Sequence, residues 1–171
     1  MKKNKIIYIM LTAAIAASVA LTSCGDSNDS GKSGDNGSAA AAQGEVSASA
    51  SEVADKLHDE VEYVDQLNEL SSDMIEKLYG ISADKYTAGK VYVGSGGSTA
   101  EEIACFDAAD ENAAEEIKTA CESRVASQIT QFENYVPAEL DKLNDPVIVV
   151  KGSSVYMCIS NDNAKAKDII G

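Results

Sequence analysis

The first 23 residues most constrain what this chain can fold into, because their pattern is typical of a targeting segment and not of a folded domain. Three lysines, Lys2, Lys3 and Lys5, precede an apolar run over residues 6–21 that has about the length of a signal-peptide core. The run ends in small residues just before Cys24. We therefore predict that residues 1–23 are a signal peptide and that the fold is encoded after them.

Residues 21–24, with the sequence LTSC, resemble the lipobox of bacterial lipoproteins: an aliphatic residue, two small residues and an obligatory cysteine. The resemblance implies that the Cys24 thiol receives a diacylglyceryl group and that a peptidase then cuts before this cysteine. An ordinary secretory signal or an uncleaved anchor helix is the alternative. The lipobox interpretation predicts a protein that is lipid-anchored on the extracytoplasmic face of the cell membrane.

The acidic composition excludes several classes of partner. The chain has 28 acidic and 14 basic side chains, and its formal charge is −14. Nucleic acids and anionic membrane surfaces repel such a polyanion, so we predict no nucleic-acid partner. Because electrostatic attraction cannot hold this chain on a membrane, the acyl chains of the diacylglyceryl group have to supply the hold.

Residues 24–48 are predicted to be the lipidated Cys24 followed by a disordered tether. Within residues 25–44 there is no aromatic and no large aliphatic side chain, and Ser, Gly, Asp and Ala predominate. Such a segment buries too little apolar surface to offset the entropy cost of ordering it. A flexible linker of this size spans about 25–30 Å, which would hold a domain clear of the headgroups.

Residues 49–171 are predicted to form one globular domain of the α+β class. Ser49 and Glu52 fit a capping box at the start of a first helix, and Gly80 fits the stop of a second. Apolar spacing predicts a long helix over residues 111–134 and a short one from Asn163. Alternating runs predict a small antiparallel four-stranded sheet of two hairpins, with helices packed on one face. The uncovered face of that sheet is where we expect a site. The predicted strands are residues 90–93, 103–108, 147–150 and 155–159.

Three stretches of this domain carry a family resemblance. Residues 74–81 (MIEKLYGI), 98–104 (STAEEIA) and 147–152 (VIVVKG) are together similar to the domain-of-unknown-function family 4358. The likeness runs from about residue 53 to the end of the chain. These motifs consist of structural residues, and the family has no assigned activity, so the resemblance implies no functional residue.

Two catalytic-looking motifs are better explained as turns. Residues 94–99 (GSGGST) are glycine-rich like a phosphate loop, but no lysine stands beside Ser98 or Thr99 and a strand follows instead of a helix, which favours a hairpin turn. Ser82 and Lys85 have the Ser-x-x-Lys spacing of penicillin-recognising enzymes, but the companion motifs are missing. We interpret Ser82 as a turn or helix-cap residue.

The sequence predicts no metal ion and no cofactor. His58 is the single histidine, has no partner at ligand spacing, and is predicted to be exposed or half-exposed. The chain has no Cys-x-x-Cys motif for zinc. The Asp, Glu and Asn residues within 107–112 and 161–163 do not follow the ligand order of a calcium-binding EF-hand, and helix capping explains them.

Three cysteines remain after lipidation: Cys105, Cys121 and Cys158. Their positions on predicted apolar faces indicate three buried thiols, since cysteine behaves there as a small apolar residue. A disulfide between Cys105 and Cys158, linking the second and fourth predicted strands, is the sharper hypothesis in an extracytoplasmic protein.

The leading functional hypothesis is a non-catalytic module that binds an envelope protein or a small ligand. It rests on the predicted anchor and tether and on the lack of a convergent catalytic set. The alternative is a small cell-envelope hydrolase that uses a pair of carboxylates, which the sequence does not identify. A third hypothesis is a structural partner of an envelope assembly, with partly exposed tyrosines as contact residues, namely Tyr63, Tyr79, Tyr86, Tyr92, Tyr135 and Tyr156.

Overall fold

The computed structural model describes residues 48–171, and the signal peptide, Cys24 and nearly all of the tether lie outside them. No helix within residues 48–171 is both long and apolar enough to cross a membrane. The helices and strands follow in this order: α1 (Ala50–Glu60), β1 (Leu67–Glu69), α2 (Ser72–Tyr79), β2 (Tyr86–Gly94), β3 (Glu102–Ala108), α3 (Glu111–Phe132), α4 (Leu140–Leu143), β4 (Val147–Lys151), β5 (Ser154–Ile159) and α5 (Asn163–Ile170).

The strands form one antiparallel sheet in the order β1-β2-β3-β5-β4. The α+β class and the two hairpins, β2–β3 and β4–β5, are confirmed, but the prediction of four strands was wrong. The additional strand, β1, has a single apolar residue, Leu67, which lies opposite Gly94 of β2. So short and polar a segment has no strand pattern of its own, and its pairing with β2 makes it a strand.

The prediction that helices pack on one face of the sheet was also wrong, because helices cover both faces. Ile103 and Cys105 of β3 belong to a core with α1 and α5, whereas Ala104 and Phe106 belong to a core with α2, α3 and α4. Strands that are apolar at every position are typical of sheets buried on both sides. The central strands described here therefore have no uncovered face, where the site was expected.

The helix ends follow the predicted chemistry. The Ser49 backbone N–H donates to Glu52 at 2.8 Å and the Glu52 N–H donates to the Ser49 hydroxyl at 3.3 Å, which confirms the capping box. Gly80 ends α2 in the left-handed conformation, with φ +70°, that glycine adopts without steric cost.

The start of α1 is attached to the sheet at the far end of β3. The backbone N–H of Ala50 donates to one carboxylate oxygen of Asp107 at 3.0 Å, and the Ser154 hydroxyl donates to the other at 2.6 Å. Both apolar cores are formed by residues between Ala50 and Ile170. This segment therefore has the core of an independently folding domain.

Candidate functional site

Two consecutive glutamates, Glu101 and Glu102, are buried at the N-terminal end of β3. Their side chains are 1% and 0% exposed, although glutamate is almost never fully buried unless it is paired. Neighbouring residues of an extended chain point in opposite directions. Glu102 therefore faces α3, and Glu101 reaches the loop after α1, so that each carboxylate has its own set of partners.

Glu102 accepts hydrogen bonds from three side chains, and we call Glu102, Tyr79, Arg124 and Gln128 the Glu102 cluster. Arg124 donates from Nε at 3.1 Å and from Nη2 at 2.8 Å, and Gln128 donates from Nε2 at 2.9 Å. The Tyr79 hydroxyl donates to the same carboxylate. Because Arg124 and Gln128 are four residues apart on α3, they lie on one side of that helix.

The charges of the Glu102 cluster are neutralised within the protein. Burial by itself lowers the pKa of the Arg124 guanidinium, but the hydrogen bonds and charge of Glu102 outweigh burial and raise that pKa above its usual value. Burial, and then the charge of Glu102, raise the pKa of Tyr79 well above its usual range, so the phenol keeps its proton. The cluster therefore contains one ion pair and two neutral groups.

A cavity of about 260 Å³ lies beside the Glu102 cluster, between α2, α3 and the end of β2. Glu102, Arg124 and Gln128 are among its polar lining residues. Small-molecule sites typically combine apolar walls with a few placed polar groups, and this cavity has that composition. The apolar side chains that line it are Leu70, Met74, Leu78, Val93 and Phe132.

Gln128, one of the residues that line the cavity, has an unsatisfied buried acceptor. The residue is 3% exposed, and its Nε2 is used for Glu102. Its Oε1 atom has no hydrogen-bond partner among residues 48–171. A buried acceptor without a partner costs about 1–3 kcal/mol of folding free energy. Gln128 therefore contributes a buried amide whose oxygen accepts no hydrogen bond from the described residues.

Glu101 is held in a second buried network. It accepts backbone N–H groups of Val64 and Asp65 at 2.9 and 3.0 Å, and the Lys142 ammonium at 3.0 Å. Lys142 also donates to Glu139 at 2.9 Å. Burial alone lowers the pKa of Lys142, but its hydrogen bonds to Glu139 and Glu101 raise the pKa above its usual value. Lys142 therefore stays charged, and it connects α4 to the start of β3.

The glycine-rich loop that follows β2 binds a carboxylate of the chain itself. Asp65 accepts the backbone N–H of Gly96 at 2.8 Å and the hydroxyl of Ser95 at 3.0 Å. The Gly96 N–H is the largest of several causes that lower the pKa of Asp65. The loop joins two antiparallel strands, so the hairpin interpretation is confirmed, and these two donors are already occupied.

A further polar cluster lies on the face covered by α1. Asp55 accepts hydrogen bonds from Lys90 at 2.8 Å and from the Tyr92 hydroxyl at 2.6 Å. The hydrogen bond from Lys90 is the main cause that lowers the pKa of Asp55. His58 is half-exposed, as predicted, and its ring stacks on Tyr92 with the centroids 4.5 Å apart. The polar groups of this cluster are therefore engaged in contacts with one another at the surface.

The other motifs have the structural roles expected of them. Ser82 donates to Asp84 at 2.5 Å, whereas Lys85 pairs with Glu116 at 2.6 Å, so the Ser-x-x-Lys spacing does not bring hydroxyl and amine together. Asp110 caps α3, and Asp162 caps α5 in the same way. Within residues 48–171 no group of three or more His, Cys, Asp or Glu residues could hold a metal ion.

The three described cysteines are buried free thiols, so the Cys105–Cys158 disulfide hypothesis was wrong. Cys105 lies opposite Tyr156 and Cys158 lies opposite Ile103, which makes the two cysteines diagonal neighbours on adjacent strands. Diagonal Cβ atoms are farther apart than the roughly 4 Å that a disulfide requires. Burial is the main cause that raises the pKa of Cys121 to about 12, and the thiol is therefore unreactive.

The sequence analysis did not identify the Glu102 cluster, although three signals were present. Arg124 is the only arginine in the chain, and it lies on α3 next to the apolar residue Val125. Gln128 occupies a position of the apolar face where a hydrophobic residue is expected. Glu101 and Glu102 directly precede an apolar strand, which is the third place where a charge could have been recognised as buried.

Comparison with known proteins assigns the family. The family described as Domain of unknown function (DUF4358) matches residues 59–160, about 60% of the chain. The chain therefore belongs to this family. No curated protein matches it. No solved structure matches it either.

Proposed function

We propose that this member of the DUF4358 family is a lipid-anchored, extracytoplasmic binding module that takes a small ligand into the cavity beside Glu102. One observation carries the proposal: the cavity has apolar walls, and the charges of the Glu102 cluster are already paired with one another. Such a lining is suited to binding, because a ligand there would contact a shaped apolar surface and form few polar contacts. The proposed anchor is the diacylglyceryl group on Cys24, which lies outside the described residues.

The alternative, a hydrolase that uses two carboxylates, finds its best candidates in Glu101 and Glu102. A general base needs a lone pair that can reach a substrate proton. Glu102 already accepts from three side chains, and Glu101 accepts from Lys142 and two backbone N–H groups. This engagement of both carboxylates favours binding over catalysis.

The tyrosines give little support to the third hypothesis, a structural partner that uses them as contact residues. Tyr79 and Tyr156 are buried, at 8% and 3% exposure. Tyr135, at 68%, is the one tyrosine of the described segment whose side chain is largely exposed. Tyr63 and Tyr92 use their hydroxyl groups inside the protein. A contact surface built from several tyrosines is therefore not available there.

Binding is tested by a thermal-shift screen of residues 25–171 against sugars, peptides, amino acids and peptidoglycan fragments. A ligand at one hundred times its dissociation constant stabilises by about 2.7 kcal/mol, which raises the Tm of a domain of this size by about 10 °C. Met74→Trp should abolish the shift because Met74 lines the cavity. Val64→Trp is the matched control, since Val64 is 75% exposed and does not line it.

The anchor is tested separately on the full-length chain in cells. We expect the wild-type protein to sediment with membranes and to incorporate a labelled fatty acid. Cys24→Ser should lose the label, because its hydroxyl cannot form the thioether. Labelling of the Cys24→Ser variant would contradict the lipobox interpretation and leave the cavity proposal unaffected.

A further inference from the structure

We infer that two copies of this chain pair through the outer edge of β4, so that their five-stranded sheets join into one continuous antiparallel sheet. β4 lies at one end of the strand order, and among the described strands only β5 pairs with it. This edge is separate from the cavity. The inference therefore goes beyond the proposed binding function and does not depend on it.

The register of the β4–β5 hairpin shows which backbone groups point outward. Lys151 and Ser154 flank a two-residue turn, so they form a hydrogen-bonded pair, and bonded and non-bonded pairs alternate from there. Ile148 and Val150 occupy the non-bonded positions, which directs their N–H and C=O groups away from β5. Within residues 48–171 no other backbone group bonds to them. Such an unpaired row is a template for another strand.

The two edges of the sheet differ in how they are protected. β1 is three residues long, and Asn68 and Glu69 are exposed on it, which discourages pairing. β4 is five residues long and is apolar at its first four positions. Ile148 and Val150 pack on one core and Val149 packs on the other, yet all three are only half-buried. This partial exposure is what an open edge produces.

β4 is complementary to a second copy of itself. An antiparallel pair centred on Val149 places Ile148 opposite Val150 of the second copy. Both residues direct their backbone groups outward, so each such pair exchanges both N–H···O bonds. Pro146, which lacks an N–H, lies opposite the turn at Gly152 and loses no bond. β-branched side chains then face one another across the contact, which is a favourable arrangement in a sheet.

Charge favours a contact through this part of the domain. Residues 49–143 have 21 acidic and seven basic side chains, so two copies repel each other there. Residues 144–171, which include β4, β5 and α5, have three of each sign. α5 lies beside β4, since the Lys151 ammonium donates to the Ile170 carbonyl at 2.7 Å. The edge strand and the helix beside it therefore belong to an electrically balanced segment.

The symmetry of this pairing suits two chains anchored in one membrane. Opposite residues of an antiparallel pair share a face, so the α1 sides of both copies point the same way. Each domain begins on that side, with Ala50 buried in the α1 core. Both proposed tethers then leave in one direction. Confinement raises the effective concentration, which matters because two five-residue strands bury less than the roughly 1,200 Å² of a stable interface.

The test places a cysteine at the centre of the proposed pair. In Val149→Cys the two new thiols face each other at a non-hydrogen-bonded position, where Cα atoms are about 4.5 Å apart, within the range of a disulfide. Asn68→Cys, exposed on the opposite edge strand, is the matched control. The native thiols do not compete, because Cys105, Cys121 and Cys158 are buried.

Both variants are oxidised mildly, as residues 25–171 in solution and as the full-length chain in cells. We expect Val149→Cys to form a disulfide-linked dimer about tenfold faster than Asn68→Cys, because pairing holds its thiols at a high effective concentration. A preference seen only in cells also supports the inference, since the membrane confines the copies there.

A second substitution in the Val149→Cys chain separates strand pairing from other contacts. Val150→Pro removes an N–H that the single chain leaves unbonded, and proline is tolerated on an edge strand at such a position. It should lower the cross-linking rate to that of the Asn68→Cys control. Val150→Ala shortens the side chain but keeps the N–H, so the dimer should remain. Similar Tm values of the two chains would show that the proline variant is folded.

Three results would overturn the inference. Equal cross-linking of Val149→Cys and Asn68→Cys, in solution and in cells, would show random collisions. A dimer that persists with Val150→Pro would refute pairing through backbone hydrogen bonds. In cells, a Val149→Cys adduct with a different protein in place of the dimer would show that another chain occupies this edge. None of these results bears on the cavity, which the thermal-shift screen tests separately.

Discussion

The two faces of the sheet are covered in different ways. Under α1 and α5 the interior is apolar, with Leu57, Ile103 and Cys158 fully buried, and the polar cluster of Asp55 lies at the surface. Under α2 and α3 the apolar core continues into the Glu102 cluster and a cavity. The first face has the composition expected of a domain built for stability.

The second face departs from that composition at a cost. A buried ion pair loses its hydration, and an apolar pair of the same volume is often as stable or more so. The cavity and the unpartnered Gln128 add further unfavourable terms. Because folding alone does not account for these features, the α2–α3 side is where a binding function is best sought.

The largest effect on stability is expected from breaking the Arg124–Glu102 ion pair on the α2–α3 side of the sheet. Arg124→Met should lower the free energy of unfolding by about 3–5 kcal/mol, because it leaves the Glu102 charge buried without its cation. Urea denaturation of the variant measures this. Addition of Glu102→Gln to the same chain should recover much of the loss, since the charge is then gone. Wild-type stability of the Arg124→Met variant would show that the pair is hydrated.

A somewhat smaller loss of stability is expected from a substitution on the side of the sheet covered by α1 and α5. Leu57→Ala should cost about 3 kcal/mol, because Leu57 is fully buried under α1 and its truncation leaves a void. The effect should be confined to stability. The rise in Tm caused by a ligand of the cavity should be retained, since the two faces are separated by the sheet. A loss of that rise would show that the faces are coupled.

A pH-dependent effect is expected at the loop beside the cavity. The pKa of Asp65 is lowered in the folded state, so its contribution to stability is present above the ordinary value of 3.8 and is lost as the pH falls through the folded value. Asp65→Asn should therefore be less stable than wild type at pH 7, and the difference in Tm should shrink at pH 3. A constant difference would show that the lost hydrogen bonds do not depend on the charge.

The last prediction is that a reducing agent has no effect on stability. Cys105 and Cys158 on one face and Cys121 on the other are free thiols, so dithiothreitol should leave the Tm of residues 25–171 unchanged. Thiol titration of the denatured, unreduced chain should count three groups. A count of one would show a disulfide on the α1 side and a real chemical difference between the faces.

The sequence was sufficient to predict the features that depend on local chemistry. The capping box at Ser49, the stop at Gly80 and the caps at Asp110 and Asp162 were recognised because each depends on residues within a few positions. The hairpins were recognised because apolar runs flank turn residues. All of these are properties of short segments.

The candidate site could not be assembled in this way, because its members come from α2, β3 and α3. Glu102 is 23 residues from Tyr79 and 22 from Arg124, and their contact follows from the sheet register and the position of α3. The second layer of helices was missed for a related reason. A strand that is apolar on both sides indicates burial but does not state which helices cover it.

The contact between Ala50 and Asp107 has a practical consequence. It holds the beginning of the domain at the end of β3, five residues or about 17 Å along the strand from Glu102. The last helix, α5, lies on the same side of the sheet as α1. A biotin, bead or fusion partner joined directly at Ala48 or after Gly171 is therefore attached away from the cavity. Such a handle permits surface-based binding assays in which immobilisation does not block the site that is being assayed.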